Sequence, residues 1–397
     1  MSLLKTHYEK DLYPEIEEAG DSDFARDCVE IAAERLEKGE ISRRTFVTAL
    51  TALGMLPAAM TLGGGDAAAD DGEIVVVNWG GPAVNAYYNA FGVPFEKSSG
   101  LKVVIDGTGP LGSKIRAMVE SGAVTWDVCD TGPGTTLVLQ KAGVLQDIDY
   151  SIVDRAKILK PFDYVAGCAN YTFSYILAYN SERVPQAPKG WADFWNLEAF
   201  PGDRTLRKQP VGMMEICLMA AGVPKEEIYP IDIDKAVAKL KEIKDNVIVW
   251  GSGSQSQELF RSGEVVMGAL WHTRANLLHK ESDGKTTWTW NEGVVTAGMW
   301  NVPKDNPAGT KAAMDFIASA QDPAQQIVLF EAMGNGPANP AAAKLVPPDQ
   351  QYIDPGQPQN LALQVFQNAD WYEADSGVRG LTNDALSREK WIDALSS

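Results

Sequence analysis

Three times in succession from Glu73, a short strand-like run, the first of them apolar and β-branched, stops at a glycine-containing turn in a β-then-α pattern. Ile74-Val75-Val76-Val77 ends in Trp79-Gly80-Gly81, and Ala83 to Ser98 follows with a helical period. Leu101 to Asp106 ends in Gly107-Thr108-Gly109-Pro110, before a helix over Lys114–Ser121. Trp126 to Asp130 ends in Thr131-Gly132-Pro133-Gly134. Such β-then-α units require a mostly parallel sheet with helices on both faces, an α/β fold. Ligands of these sheets sit beyond the C-terminal ends of the strands. That rule gathers Trp79, Gly80, Gly81, Thr108-Gly109 and Thr131 around one crevice.

Further along, Tyr175–Tyr179 reads as an extended crossover, and Asp234–Lys244 as a helix. Val247–Trp250 is a strand closing on Gly251-Ser252-Gly253-Ser254-Gln255, and Val265–Trp271 is another. Gly293–Val302 reads as a second crossover. Lys311–Ala320, Pro323–Ala332 and Asn360–Tyr372 have helical spacing.

The N-terminal region carries an address. Arg43-Arg44 stands directly before a modestly apolar run to Met60, and Ala67-Ala68-Ala69 gives a small-residue cleavage pattern. Residues 1–69 therefore read as an extension plus a twin-arginine export signal, with a rough helical spacing from Phe24 to Ile41. The apolar run is short and rich in Ala, Thr and Gly, whereas a membrane span needs about 20 strongly apolar residues. The expected location is the periplasm, reached through the twin-arginine machinery.

Of 35 Lys and Arg and 53 Asp and Glu, 7 and 13 precede Asp70, leaving 28 against 40 and a net charge near −12. That balance disfavours nucleic acid and anionic lipid as partners. Cys129, Cys168 and Cys217 lie in apolar surroundings without a C-x-x-C, and read as buried small residues, one disulfide being the alternative. His272 and His279 are the only histidines after the signal, with no acid or Cys framing them as metal ligands. No G-x-S-x-G, P-loop or triad order is present, so acid–base enzymes of the usual type are disfavoured. Neither cofactor nor metal is expected. An exported enzyme of the same architecture is the competing class.

Two features suit an anion. Trp271-His272-Thr273-Arg274 places an arginine just past a strand end, and Ser252 to Gln255 offers hydroxyls and free N–H groups at a helix start, so Ser254, Gln255 and Arg274 are candidates. The alternative reading of the serines is helix capping, and that of Arg274 a surface ion pair.

Trp79-Gly80, Trp191-Ala192-Asp193-Phe194-Trp195, Pro201-Gly202-Asp203-Arg204, Ser262 to Gly268 approaching Trp271, and Gly334-Asn335-Gly336-Pro337-Ala338-Asn339-Pro340 together resemble the spermidine/putrescine-type extracellular solute-binding proteins, receptors of ATP-driven importers. The resemblance covers residues 73 to about 380. It implies a type II two-lobe fold with crossovers near Ala178 and Thr296: residues 73–178 and 296–345 in one lobe, 179–295 and 346–397 in the other. It implies one small solute per chain, an ABC permease in the inner membrane as partner, and a monomer. Trp79 and Trp271 match the family's aromatic walls. Where polyamine binders carry Trp and then Asp in the second crossover, this chain has Thr296 and Gly298; where they carry Tyr before the Pro/Asn turn, it has Asn335. Where they carry an acid just after the first Trp, this chain has Gly80-Gly81. With these two acids missing and Arg274 gained, the expected solute is an amine-bearing zwitterion or mono-cation rather than a pure polyamine. Tyr87-Tyr88 is similar to the tyrosine pair of iron-binding members of the superfamily, although its helical surroundings favour packing.

Overall fold

The computed structural model describes residues 72–396. The export signal, Cys28 and the helical spacing before Arg43 lie outside them.

The strands are β1 Glu73–Val77, β2 Lys102–Asp106, β3 Val128–Thr131, β4 Cys168–Asn180, β5 Arg204–Arg207, β6 Val247–Trp250, β7 Met267–Trp271, β8 Thr286–Asn301, β9 Gly336–Pro337 and β10 Val365–Phe366. Their order is β2-β1-β3-β8-β4-β7-β5-β6, with β9 on β4 and β10 on β8. Two parallel wings, β2-β1-β3 and β7-β5-β6, flank a central antiparallel pair of long strands, β8 and β4. The first wing is the β-then-α pattern read in the sequence; in the second, β6 and β7 match the reading and β5 is a strand that the reading leaves out. The long central pair joins the wings into a two-lobe fold.

Alternation along β1 serves two cores. Ile74 and Val76 face one cluster and Val75 and Val77 another, so this strand is covered on both sides. The β7-β5-β6 wing has its own core around Trp191, Phe194, Ile216, Trp250 and Leu270. The central strands change core midway. Cys168 and Ala169 pack in the first wing, Tyr175 to Ala178 in the second; Trp290 and Val294 belong to the second, Ala297 to Trp300 to the first.

Three elements differ from the sequence reading. The helix after β1 is continuous but includes a π-turn at Tyr88–Gly92 between Pro82–Tyr87 and Val93–Ser99. Pro94 has no N–H to give to the preceding turn, and the wider turn absorbs that loss. The crossover read as Gly293–Val302 is the second half of β8, which begins at Thr286: Thr286 to Thr289 already pair with β4, and the pairing resumes at Val294 after a register shift. The helix expected over Asn360–Tyr372 is broken into Pro358–Leu361 and Ala369–Glu373. Val365 and Phe366 pair with Val294 and Val295, and Asn368 caps the second piece by accepting from Trp371 N.

Candidate ligand site

The C-terminal ends of the first wing carry short, tightly bonded loops. Asn78 is fully buried: its Oδ1 accepts from Gly80 N at 2.9 Å, its Nδ2 donates to Ala83 O at 2.9 Å, and its carbonyl accepts from Gly109 N at 3.1 Å. Gly80 has φ +74°, and a Cβ there would lie 2.4 Å from Gly107 O, so only glycine lets the two loops meet. Gly81, φ +61°, follows. This turn leaves Trp79 55 % exposed at the end of β1, its ring beside Gly109. Thr131, at the end of β3, is buried and its hydroxyl is already engaged by Asn301 and Thr136.

Between the wings, β4 presents Tyr171, Phe173 and Tyr175 on one face, with ring centroids 6.1 Å apart at each step. Register puts Gly298 opposite Tyr171, Thr296 opposite Phe173, and Trp271 opposite Tyr175, all on that same face. Phe173 meets Trp271 edge-on at 6.2 Å, and Trp271 meets Trp250 at 5.1 Å. Asn335 immediately precedes β9, which pairs with Tyr171 and Thr172. Gly298 makes room: a Cβ there would lie 2.5 Å from the Tyr171 ring.

Arg207 at the end of β5 is the residue the sequence reading missed. Its guanidinium lies 5.5 Å from the Trp271 ring centroid, 5.7 Å from Tyr175 and 6.0 Å from Trp250, and donates to the Tyr175 hydroxyl and Gln209. Arg274 packs under Gly253, where a Cβ would lie 2.5 Å from its Nε, and donates to Gln257 Oε1 at 3.4 Å. Neither arginine has a carboxylate partner among the described residues. Burial lowers the Arg274 pKa from its ordinary value. Three buried polar atoms here lack any partner: Trp271 Nε1, Arg274 Nε and Thr296 Oγ1. Two of these are obligate donors and the third a hydroxyl. The region thus combines aromatic faces, unneutralised positive charge and unused N–H groups, and suits a carboxylate.

The Ser252–Gln255 run caps its helix. Ser252 Oγ accepts from Gln255 N at 3.2 Å and bonds Ser254 Oγ at 3.0 Å, while Gln255 Oε1 accepts from Gly251 N at 2.7 Å. The structure therefore brings Thr296 and Gly298 on β8, Trp271 on β7 and Asn335 just before β9 alongside β4. Arg274 joins them through the helix that follows Trp271. Trp79, Gly80 and Gly81 form a separate group on the first wing, and Thr131 belongs to its interior.

His272, next to Trp271, is fully buried. Its Nδ1 accepts from Ser174 N at 3.1 Å and its Nε2 meets Gly334 O at 2.7 Å; burial pushes its pKa down to about 4, so the ring is neutral. Tyr87 is also buried, bonded to Asp130. Cys129, Cys168 and Cys217 are free and buried. Among the described residues no three His, Cys, Asp or Glu side chains converge on a metal position.

The family model described as bacterial extracellular solute-binding protein matches residues 90–356. The chain is 33% identical over 301 residues to the gamma-aminobutyric acid-binding protein of Pseudomonas aeruginosa PAO1, covering 74% of this chain and 85% of that protein. A solved GABA receptor is 31% identical with TM-score 0.73, covering 81% of this chain and 97% of the other. An ABC transporter substrate-binding protein from Bradyrhizobium japonicum is 31% identical with TM-score 0.75, covering 82% and 99%. The spermidine/putrescine-binding protein of Streptococcus pneumoniae is 15% identical with TM-score 0.64, a likeness of fold alone.

Proposed function

The chain belongs to the bacterial extracellular solute-binding proteins, and we propose that it captures a small zwitterion bearing an amine and a carboxylate, closing two lobes over it. As a substrate-binding receptor of an ABC transporter it hands a small molecule to a permease. The observation that carries the zwitterion reading is the pair Arg207 and Arg274. Two guanidiniums without acids, beside orphaned donors on Trp271 and Thr296, favour a carboxylate and disfavour a polycation. The relatives named for gamma-aminobutyrate support an ω-amino acid as the first ligand to try.

In this reading Trp271, Arg207, Arg274, Thr296, Gly298 and Asn335 line the second-lobe and hinge side of the site. Trp79, Gly80 and Gly81 form the opposing lip, Thr131 supports it from within, and Ser254 and Gln255 position Arg274 by capping the neighbouring helix. The lobes divide at residues 73–178 with 296–345 and 179–295 with 346–397, and the receptor works as a periplasmic monomer exported by the twin-arginine route. Titration calorimetry with γ-aminobutyrate, butanoate and spermidine tests the ligand class. The carboxylate-bearing compounds bind and spermidine does not, and Arg207→Ala weakens both of them at least about tenfold. Spermidine binding most tightly, with Arg207→Ala without effect, overturns the proposal.

A further inference from the structure

Asp130, at the end of β3, is a carboxylate 1 % exposed with no cation beside it among the described residues. Its oxygens accept from Tyr87 Oη at 2.7 Å, Asn170 Nδ2 at 3.0 Å and Tyr171 Oη at 3.3 Å. A buried carboxylate held by neutral donors alone projects negative potential outward, and of its three donors only Tyr171 is not fully buried. Tyr171 heads the aromatic row of β4, its ring packed into the place that a side chain at Gly298 would take. Arg207 stands at the far end of that row, against Tyr175. The row is therefore polarised, negative behind Tyr171 and positive at Tyr175.

We propose that the Tyr171 ring, with Asp130 behind it, seats the ammonium of the solute, at the opposite end of the aromatic row from the carboxylate held by Arg207. This rests on the zwitterion reading above. The two steps of 6.1 Å set the ends of the row about 12 Å apart. Contacts of about 3–4 Å at each end leave about 5–6 Å between ammonium and carboxylate. An ω-amino acid with a chain of about three to five carbons spans that distance, and an α-amino acid does not. The acid that polyamine binders carry at the position of Gly298 is thus replaced by one reached from the neighbouring strand, for a single cation.

A second consequence is a proton. Burial raises Asp130 to about 7, and the titratable groups facing it, Tyr87 from the helix Pro82–Tyr87 and Tyr171 from β4, together with Cys129 beside it on β3, are all held neutral by burial. A cation arriving over Tyr171 favours the ionised carboxylate. Binding of an amine near pH 7 therefore expels part of a proton.

The test is calorimetry on the purified protein in buffers of differing ionisation enthalpy, with γ-aminobutyrate, butanoate, glycine and 6-aminohexanoate. Wild type prefers γ-aminobutyrate over glycine and 6-aminohexanoate and releases protons with it but not with butanoate. Asp130→Asn abolishes the proton release and weakens γ-aminobutyrate about tenfold while leaving butanoate unchanged. Tyr171→Phe, which keeps the ring, retains more amine affinity than Tyr171→Leu. Equal losses for γ-aminobutyrate and butanoate in these variants, or an undiminished amine preference, overturn the ammonium seat and leave the carboxylate site standing. Failure of wild type to bind either carboxylate overturns both.

Discussion

The hydrogen at Gly298 in place of a side chain lets the Tyr171 ring pack against the β8 backbone, because any Cβ there would meet that ring at 2.5 Å. Gly298→Val should therefore displace Tyr171, costing about 1–3 kcal/mol of stability by overpacking, and weaken amine-bearing ligands more than butanoate. Urea denaturation and calorimetry read the two effects separately. His272 offers a pH prediction. Its folded pKa of about 4 lies below the ordinary value of 6.5, so the unfolded chain binds the extra proton first. The stability it supports is complete above pH 6.5 and is lost as pH falls towards 4, by up to about 3 kcal/mol. Asp130 and Asp354, raised by burial to about 7 and about 6, act oppositely: their share is complete below about pH 4 and declines as pH rises through those values. In a pH series of denaturation midpoints, His272→Gln should flatten the acid limb and Asp130→Asn the neutral one; parallel curves for wild type and His272→Gln would show that the imidazole does not titrate on unfolding.

At the scale of elements, β4 and β8 share one ladder yet serve two cores, and their polar residues are placed accordingly. Thr172 and Ser174 face away from the aromatic row, fully buried, with hydroxyls that have no partner. Removing an unpaired buried hydroxyl forfeits no hydrogen bond, so Thr172→Val should shift stability by no more than about 1 kcal/mol, and towards stabilisation. A loss several-fold larger would mean that an ordered water binds there. Another element makes the contrary case. Glu215, buried on the helix Met213–Ala220, accepts from Tyr229 Oη at 2.6 Å and Tyr372 Oη at 2.8 Å, and so ties the C-terminal segment to the second core. Glu215→Ala takes the acceptor from both hydroxyls, that of the buried Tyr372 and that of the partly buried Tyr229, which still accepts from Asn368 N. It should cost about 2–4 kcal/mol, read as a lower denaturation midpoint, whereas Glu215→Gln restores most of it.

For the whole molecule, two separately packed wings on a shared pair of strands make a hinge the natural mode of motion. Small-angle scattering should show a more compact particle with γ-aminobutyrate than without, and an unchanged radius of gyration would count against a clamp. Ligand at about 100 times Kd should stabilise the fold by about 2.7 kcal/mol, which a thermal-shift measurement detects. Replacing Arg43 and Arg44 together by Lys should hold the precursor in the cytoplasm; normal periplasmic yield from that variant would remove the twin-arginine reading.

Local physics wrote the parts that depend on neighbours in sequence. Short runs closed by glycine-containing turns announced β1, β2 and β3, and helical spacing announced Gly309–Ala320 and Pro323–Met333. Trp79 and Trp271 were legible as aromatics at strand ends, and Arg274 as a charge at a helix start. Arg207 was not, since nothing around Arg204-Thr-Leu-Arg207 distinguishes it from a solvated strand end until Tyr175, Trp250 and Trp271 arrive from three other strands. Tyr171-Thr172-Phe173-Ser174-Tyr175 did carry a signal, an aromatic/hydroxyl alternation of period two, but the alternation does not say which face meets ligand. That choice, the engagement of Thr131 by Asn301 170 residues away, and the breaking of the late helix by pairing with β8 were made by the tertiary structure. Strand pairing and burial depend on partners distant in the chain, and no local pattern encodes which partner arrives.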